Sequence, residues 1–269
     1  MDERRLEIIK RLSWGDIKKN LAGKVPFEAI SPMGSMLIHI REYAPVIAVM
    51  PHTGHRVREE ITSKMSIEED ARMTDEDPAL APLIEAFPIQ IYALDSRYEY
   101  DVDRARPEAI YLKPFQSWGK KVWVNPPSKE EIDVSLQKYD EFHDLLEFFV
   151  DEALQWKSKA VVLCLDGVTP RPGSKVATPY QLDLDIAHVD ATQHAKPLSA
   201  FTDALRAASP TMAVNGGSKP AQVLAKKLCA KPGTFVAAVG VGRPVATLPT
   251  PAAIQSALYK GAQSALELF

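Results

Sequence analysis

The sequence predicts an α/β protein of three layers, α/β/α, with a mostly parallel central sheet, and three observations predict it. Apolar, β-branched runs alternate with segments of helical period along most of the chain, the pattern of strands joined through helices. Residues 45–50 and 160–165 are almost wholly apolar, as strands buried on both faces must be. The polar clusters at His52 and Asp166 follow directly on those two runs, where proteins of this class gather their functional groups.

The elements follow in order. Leu6, Ile9, Leu12, Ile17 and Leu21 recur at roughly helical spacing, giving a helical extension over residues 1–22 with a break near Gly15. Two short runs between Met36 and Met50, split by Arg41-Glu42, read as a pair of strands. Ser66-Ile67-Glu68-Glu69 offers a capping box for a helix, and residues 87–94 read as a further strand. Ser128-Lys129-Glu130-Glu131 opens the clearest helix, which keeps Ile132, Leu136, Tyr139, Leu146, Val150 and Leu154 in period. Past the strand at 160–165, helices near 197–208, 220–228 and 251–268 alternate with strands at 211–214 and 234–241. Proline opens these helices, where no intrahelical donor is lost. No repeat and no interdomain linker interrupts the series, so residues 1–269 read as a single domain. The Pro- and Gly-rich stretch at 169–174 reads as an active-site loop.

Composition narrows the function. The 32 basic and 35 acidic residues are mixed throughout, without the basic stripe that nucleic acid requires. A small-molecule or protein partner fits better. No segment approaches the roughly 18 apolar residues of a membrane span, and the N-terminus lacks the apolar core of a secretory signal. Two cysteines, Cys164 and Cys229, make no disulfide framework, so a reduced cytoplasm is expected.

Six histidines are candidates for chemistry: His39, His52, His55, His143, His188 and His194. His143 lies mid-helix and His39 inside a strand, as ordinary packed histidines do. His188 and His194 follow a predicted strand and belong either to a polar surface loop or to the site. His52 stands apart, because Pro51-His52-Thr53-Gly54 presents it just past a buried strand. A catalytic zinc takes about three protein ligands and an open position. Thr74-Asp75-Glu76-Asp77 offers carboxylates, though an acidic start to a helix accounts for them equally. Arg104 could hold a substrate carboxylate in its fork; spacing alone favours a surface ion pair with a flanking aspartate.

Pro51-His52-Thr53-Gly54, Thr74-Asp75-Glu76-Asp77 and Asp95-Ser96-Arg97-Tyr98-Glu99-Tyr100-Asp101-Val102-Asp103-Arg104 resemble, in order and spacing, the N-formylglutamate amidohydrolase family. Val122-Trp123-Val124-Asn125-Pro126-Pro127, the helix carrying Tyr139 and His143, and Asn215-Gly216-Gly217-Ser218-Lys219 extend the resemblance over roughly residues 45–246. That family is related to zinc carboxypeptidases and has a phosphorylase/hydrolase-like α/β/α fold. The resemblance implies zinc, or another divalent metal, held by His52 and Asp77 (Asp75 being the alternative). It implies Arg104, with Asn215, binding a small carboxylate substrate. Zinc would lower the pKa of a water to about 7 for attack on a formyl or acyl amide carbon, and a glutamate would carry the proton to the leaving amine.

The sequence departs from that pattern in three places. Asp166 stands where the family has its third, histidine ligand; a carboxylate there suits a harder metal such as manganese. Gly240 stands about where the catalytic glutamate belongs, and no Asp or Glu occurs from Ala204 to Leu266. Asp103 replaces the usual asparagine before Arg104, adding negative charge that would weaken carboxylate capture. Two functions remain open: a metal-dependent amidohydrolase cleaving an N-formyl or N-acyl amino acid, or a member that has lost turnover and binds small anions as a regulator.

Overall fold

The structure, a computed structural model, describes residues 3–168, 182–217, 220–242 and 251–269. The loop at 169–174 lies outside the described residues, as do Ser218, Lys219 and Arg243. Two helices come first, α1 (Glu3–Ile8) and α2 (Trp14–Ala22), and the break between them precedes Gly15. Ser13 sets it, since its hydroxyl accepts from the backbone N–H of Asp16 at 3.1 Å and caps α2.

Strands β1 (Phe27–Ile30), β2 (Met36–Ile40) and β3 (Val46–Met50) lead to two short helices, α3 (Glu59–Thr62) and α4 (Glu69–Met73). Ser66 does not cap α4 as its motif suggests. The N-cap is Glu68, without a side-chain bond, and the Ser66 hydroxyl donates instead to the Lys121 carbonyl at 2.7 Å. A 3-10 helix (Pro78–Ile84) and β4 (Ile89–Ala93) follow, then the long α5 (Lys129–Lys157), whose Ser128–Glu131 capping box forms as predicted. The remaining elements are β5 (Ala160–Val168), β6 (Leu182–Asp185), α6 (Ala195–Ala208), β7 (Ala213–Val214), α7 (Gln222–Cys229), β8 (Thr234–Gly242) and α8 (Pro251–Leu268).

Among the described residues, eight strands form one sheet in the order β1-β2-β4-β3-β5-β8-β6-β7. The centre, β4-β3-β5-β8, is parallel, while β1 and β2 on one side and β6 on the other run antiparallel to their inner neighbours. Side chains alternate between two cores, as the two-residue period of a strand requires. Ile47, Val49, Val162, Cys164, Val236 and Ala238 face α2, α5 and α7. Ala48, Met50, Leu163, Leu165, Ala237 and Val239 face the 3-10 helix, α6 and α8. This is the expected three-layer α/β/α architecture, with a sheet more mixed at its margins than the sequence announces. No helix among the described residues is long and apolar enough to cross a membrane.

The parallel centre has one consequence for function. The carboxyl ends of β3, β4, β5 and β8 all open on the same edge, and His52, Asp95, Asp166 and Gly240 lie there.

Candidate active site

His52 follows β3 after one proline and is 1% exposed. Its carbonyl accepts the Asp77 N–H at 2.7 Å, which fixes the turn after the strand. Gly54 lets that turn lie against the backbone of Leu94 and Asp95; a Cβ at Gly54 would collide with it. Both ring nitrogens meet carboxylates: Nδ1 lies 2.9 Å from Oδ1 of Asp166, and Nε2 lies 2.9 Å from Oδ1 of Asp101. Burial and the Arg97 guanidinium push the imidazole pKa down, but Asp166 and Asp101 outweigh them and raise it to about 10. His52 is therefore an imidazolium at neutral pH.

Asp101 is fully buried and heavily bonded. It accepts from Arg97 Nη2 and from the Asp103 N–H, each at 2.8 Å, and from the Tyr111 hydroxyl. Burial alone would raise its pKa, yet Arg97 and His52 hold it well below the usual carboxylate range. Asp166 behaves alike: burial opposes its charge, and His52, Arg97 and a hydrogen bond with Asp77 keep it ionised.

Asp77 reaches the same point. It opens the 3-10 helix but makes no side-chain cap; its Oδ2 accepts the Gly167 N–H at 2.9 Å instead. A Cβ at Gly167 would fall on that carboxylate, so glycine after Asp166 is what admits Asp77. The alternative acid, Asp75, is turned aside to Lys120 and the Tyr98 hydroxyl.

Arg97 and Arg104 flank Trp118. The guanidinium carbons lie 4.9 Å and 5.9 Å from its ring centroid, and Arg104 also stands 5.3 Å from that of Tyr111. Arg104 is half-buried and donates to the Gln116 carbonyl at 3.0 Å. It makes no ion pair with the flanking aspartates among the described residues. The Arg97 side chain is 10% exposed, and its buried Nε has no hydrogen-bond partner among the described residues. Asp103, expected to weaken carboxylate capture, spends Oδ1 on the N–H groups of Val223 and Leu224, both at 2.9 Å, at the start of α7. Burial and the nearby Asp101 carboxylate raise its pKa to about 7, and its acceptor is turned to that helix terminus rather than to Arg104.

His52, Asp166 and Asp77 are thus brought together, and Arg104 stands beside Arg97. Asn215 does other work, since its Oδ1 accepts the Ile186 N–H at 2.9 Å and joins β6 to β7. Gly240 on β8 pairs in register with Asp166 on β5. Three of the other histidines have separate partners: Glu76 and Glu69 for His55, the Val102 carbonyl for His143, the Val236 carbonyl for His188. Asp101 and Arg97 are the site residues that motif reading passes over; the signal was an Arg–Asp pair at i and i+4, with tyrosines at i+1 and i+3.

One imidazole and two carboxylates are chemically suited to a hard divalent cation. Asp101, on the far nitrogen of His52, resembles the outer carboxylate that orients a ligating histidine. As arranged, no three or more His, Cys, Asp or Glu side chains among the described residues surround a metal position.

The model of the family described as N-formylglutamate amidohydrolase matches residues 44–228, more than half of the chain. The chain belongs to this N-formylglutamate amidohydrolase family. No curated protein sequence gives a significant match. Among solved structures, an N-formylglutamate amidohydrolase from Ralstonia eutropha aligns with a TM-score of 0.64 at 15% identity, over 87% of this chain and 98% of its own. A gene product of Agrobacterium tumefaciens aligns with a TM-score of 0.64 at 18% identity, over 87% and 95%. At such identities these two share the fold. The N-formylglutamate amidohydrolase match spans His52, Asp77, Arg97, Asp101, Arg104 and Asp166, and stops short of Gly240.

Proposed function

We propose that the protein hydrolyses the amide bond of an N-formyl or N-acyl amino acid such as N-formylglutamate. The observation that carries this reading is His52, buried between Asp101 and Asp166 at the carboxyl ends of the parallel strands, with two guanidinium groups alongside. Such a concentration of perturbed, buried charge at a strand edge marks functional sites.

Each residue then has a part. Arg104, with donors to spare beyond the Gln116 carbonyl, takes the substrate carboxylate. Arg97, whose buried Nε–H has no partner among the described residues, would donate to an oxygen on which negative charge develops. Asp101 keeps the His52 ring in one orientation. His52 Nδ1, Asp166 and Asp77 would hold a divalent cation, zinc or a harder ion such as manganese, in exchange for the proton now shared between His52 and Asp166. When bound there, such a cation supplies a lowered water pKa and a polarised amide carbonyl.

The test compares wild type with His52→Ala for metal content by atomic emission and for release of formate from N-formylglutamate. Stoichiometric metal and turnover in wild type, both abolished in His52→Ala, is the expected result. The glycine at 240 favours a second reading, a member that binds small anions without turnover. Binding of N-formylglutamate with neither hydrolysis nor bound metal would establish that reading and end the first.

A further inference from the structure

Arg97 and Arg104 stand beside the same tryptophan but are held there by different means. Arg97 pairs with Asp101 at 2.8 Å, and that buried carboxylate fixes its guanidinium. Arg104 has no ion pair among the described residues. Its Nη2 donates to the Gln116 carbonyl at 3.0 Å, and two rings bound the guanidinium: Tyr111 at 5.3 Å and Trp118 at 5.9 Å. Those rings meet edge to face at 5.8 Å, which locks one against the other. An arginine left loose would surrender much rotamer freedom on taking a ligand, at a cost in affinity. Rings that order it beforehand remove that cost.

Trp118 is held in that place against a local preference. It closes the short 3-10 turn Pro114–Ser117 with φ 57° and ψ 37°, in the left-handed region where a bulky side chain is an outlier. The turn is tied to itself: the Trp118 and Gly119 N–H groups both donate to the Pro114 carbonyl, the second at 2.7 Å, and the buried Ser117 hydroxyl donates to the Lys120 carbonyl at 2.6 Å. Strain of this kind collects at ligand clamps. Burial does not account for it, because Trp118 stays 38% exposed. Trp123 is the contrast: it is 4% exposed, and its indole N–H donates to the Tyr111 carbonyl at 2.9 Å. Trp123 packs the loop from within, whereas Trp118 gives its ring to two cations at the edge of the site.

We infer that Trp118 is a positioning residue for substrate recognition, its indole holding the Arg104 guanidinium where it takes the substrate's α-carboxylate. The inference rests on the hydrolase reading given above. The α-carboxylate is the anionic group that every N-acyl amino acid carries. A guanidinium set in one orientation meets it through paired N–H···O bonds, which a neutral carboxamide cannot reproduce. Trp118 therefore sets the preference for the charged group without touching the reacting atoms.

The probes are N-formyl-L-glutamate and its α-carboxamide, read by formate release. Wild type is expected to favour the carboxylate in kcat/KM by about 100-fold, since the carboxamide leaves the arginine unpaired. Trp118→Ala should raise KM for N-formyl-L-glutamate about tenfold, keep kcat within about threefold, and shrink the preference about tenfold, the scale of a partly desolvated cation–π contact. Trp118→Phe, which keeps a ring, should retain most of the preference; Trp118→Leu, which keeps bulk without a ring, should lose it. General loosening of the fold would slow both substrates alike and leave the ratio standing. With an active wild type, an unchanged ratio in Trp118→Ala overturns this inference alone, as does a Trp118→Phe ratio no better than that of Trp118→Leu. Should Trp118→Ala fail to fold, Trp118→Leu decides in its place. A wild type without hydrolysis overturns the hydrolase reading; the same ratio is then taken from dissociation constants, and no binding of N-formyl-L-glutamate overturns both.

Discussion

His52 and His143 are both buried, 1% and 4% exposed, yet they are held in opposite charge states. His52 faces two carboxylates and is raised to about 10. His143 has burial and the Lys227 ammonium against it, which outweigh the Val102 carbonyl and the Glu147 and Asp140 carboxylates and lower it to about 4. Their contributions to stability have opposite signs. That of His52 is present below its ordinary value of 6.5 and is lost as pH rises through about 10. That of His143 is present above 6.5 and is lost as pH falls toward about 4. Urea denaturation between pH 7 and pH 5 should therefore show a stability loss of up to about 1.4 kcal/mol per pH unit from this residue. His143→Gln should flatten that part of the profile. An unchanged slope in the variant would show that His143 is not the residue responsible.

At the scale of elements, α7 depends on a residue far from it in sequence. Asp103 accepts two of its first N–H groups and so joins the helix to the segment that carries Asp101 and Arg104. Asp103→Ala should cost about 1 kcal/mol, the usual worth of an N-terminal cap, and should raise KM for the substrate by loosening Arg104; equal KM in the two proteins would count against that link. Elements of this kind differ in how far the sequence discloses them. The helix α5 and the strands β3 and β5 declare themselves, because each repeats one period over its length. Strand β1 does not, since Phe27-Glu28-Ala29-Ile30 is too short to show a period and is ordered by pairing with β2. Ser66 carries the right motif but finds a better partner in Lys121. The site divides in the same way. His52 and Asp166 stand out because each follows a buried strand, and Asp77 stands out through its place in the family resemblance. Arg97 and Asp101 leave only a weak local signal, an Arg–Asp pair at i and i+4, because their place at the site comes from contacts with His52 and Trp118.

At the scale of the whole molecule, the two cores determine which groups reagents can reach. Cys164 lies wholly inside the α5 side of the sheet, and burial pushes its thiol pKa up; Cys229, at the end of α7, is half-buried. A thiol reagent should titrate one cysteine in the native protein and the second only in denaturant. Two fast-reacting thiols would mean that the sheet opens far more readily than its burial implies.

The strand order has a cost that falls on synthesis. Strand β3 gains one neighbour as soon as residues 89–93 exist, but its other edge waits for β5, on the far side of α5, and β5 in turn waits for β8. At about 5–20 residues per second, ribosomal elongation leaves those apolar edges bare on the order of seconds. A nascent chain in that interval is a natural client for chaperones, and the central position of β3, which places His52 at the heart of the site, is what lengthens the wait.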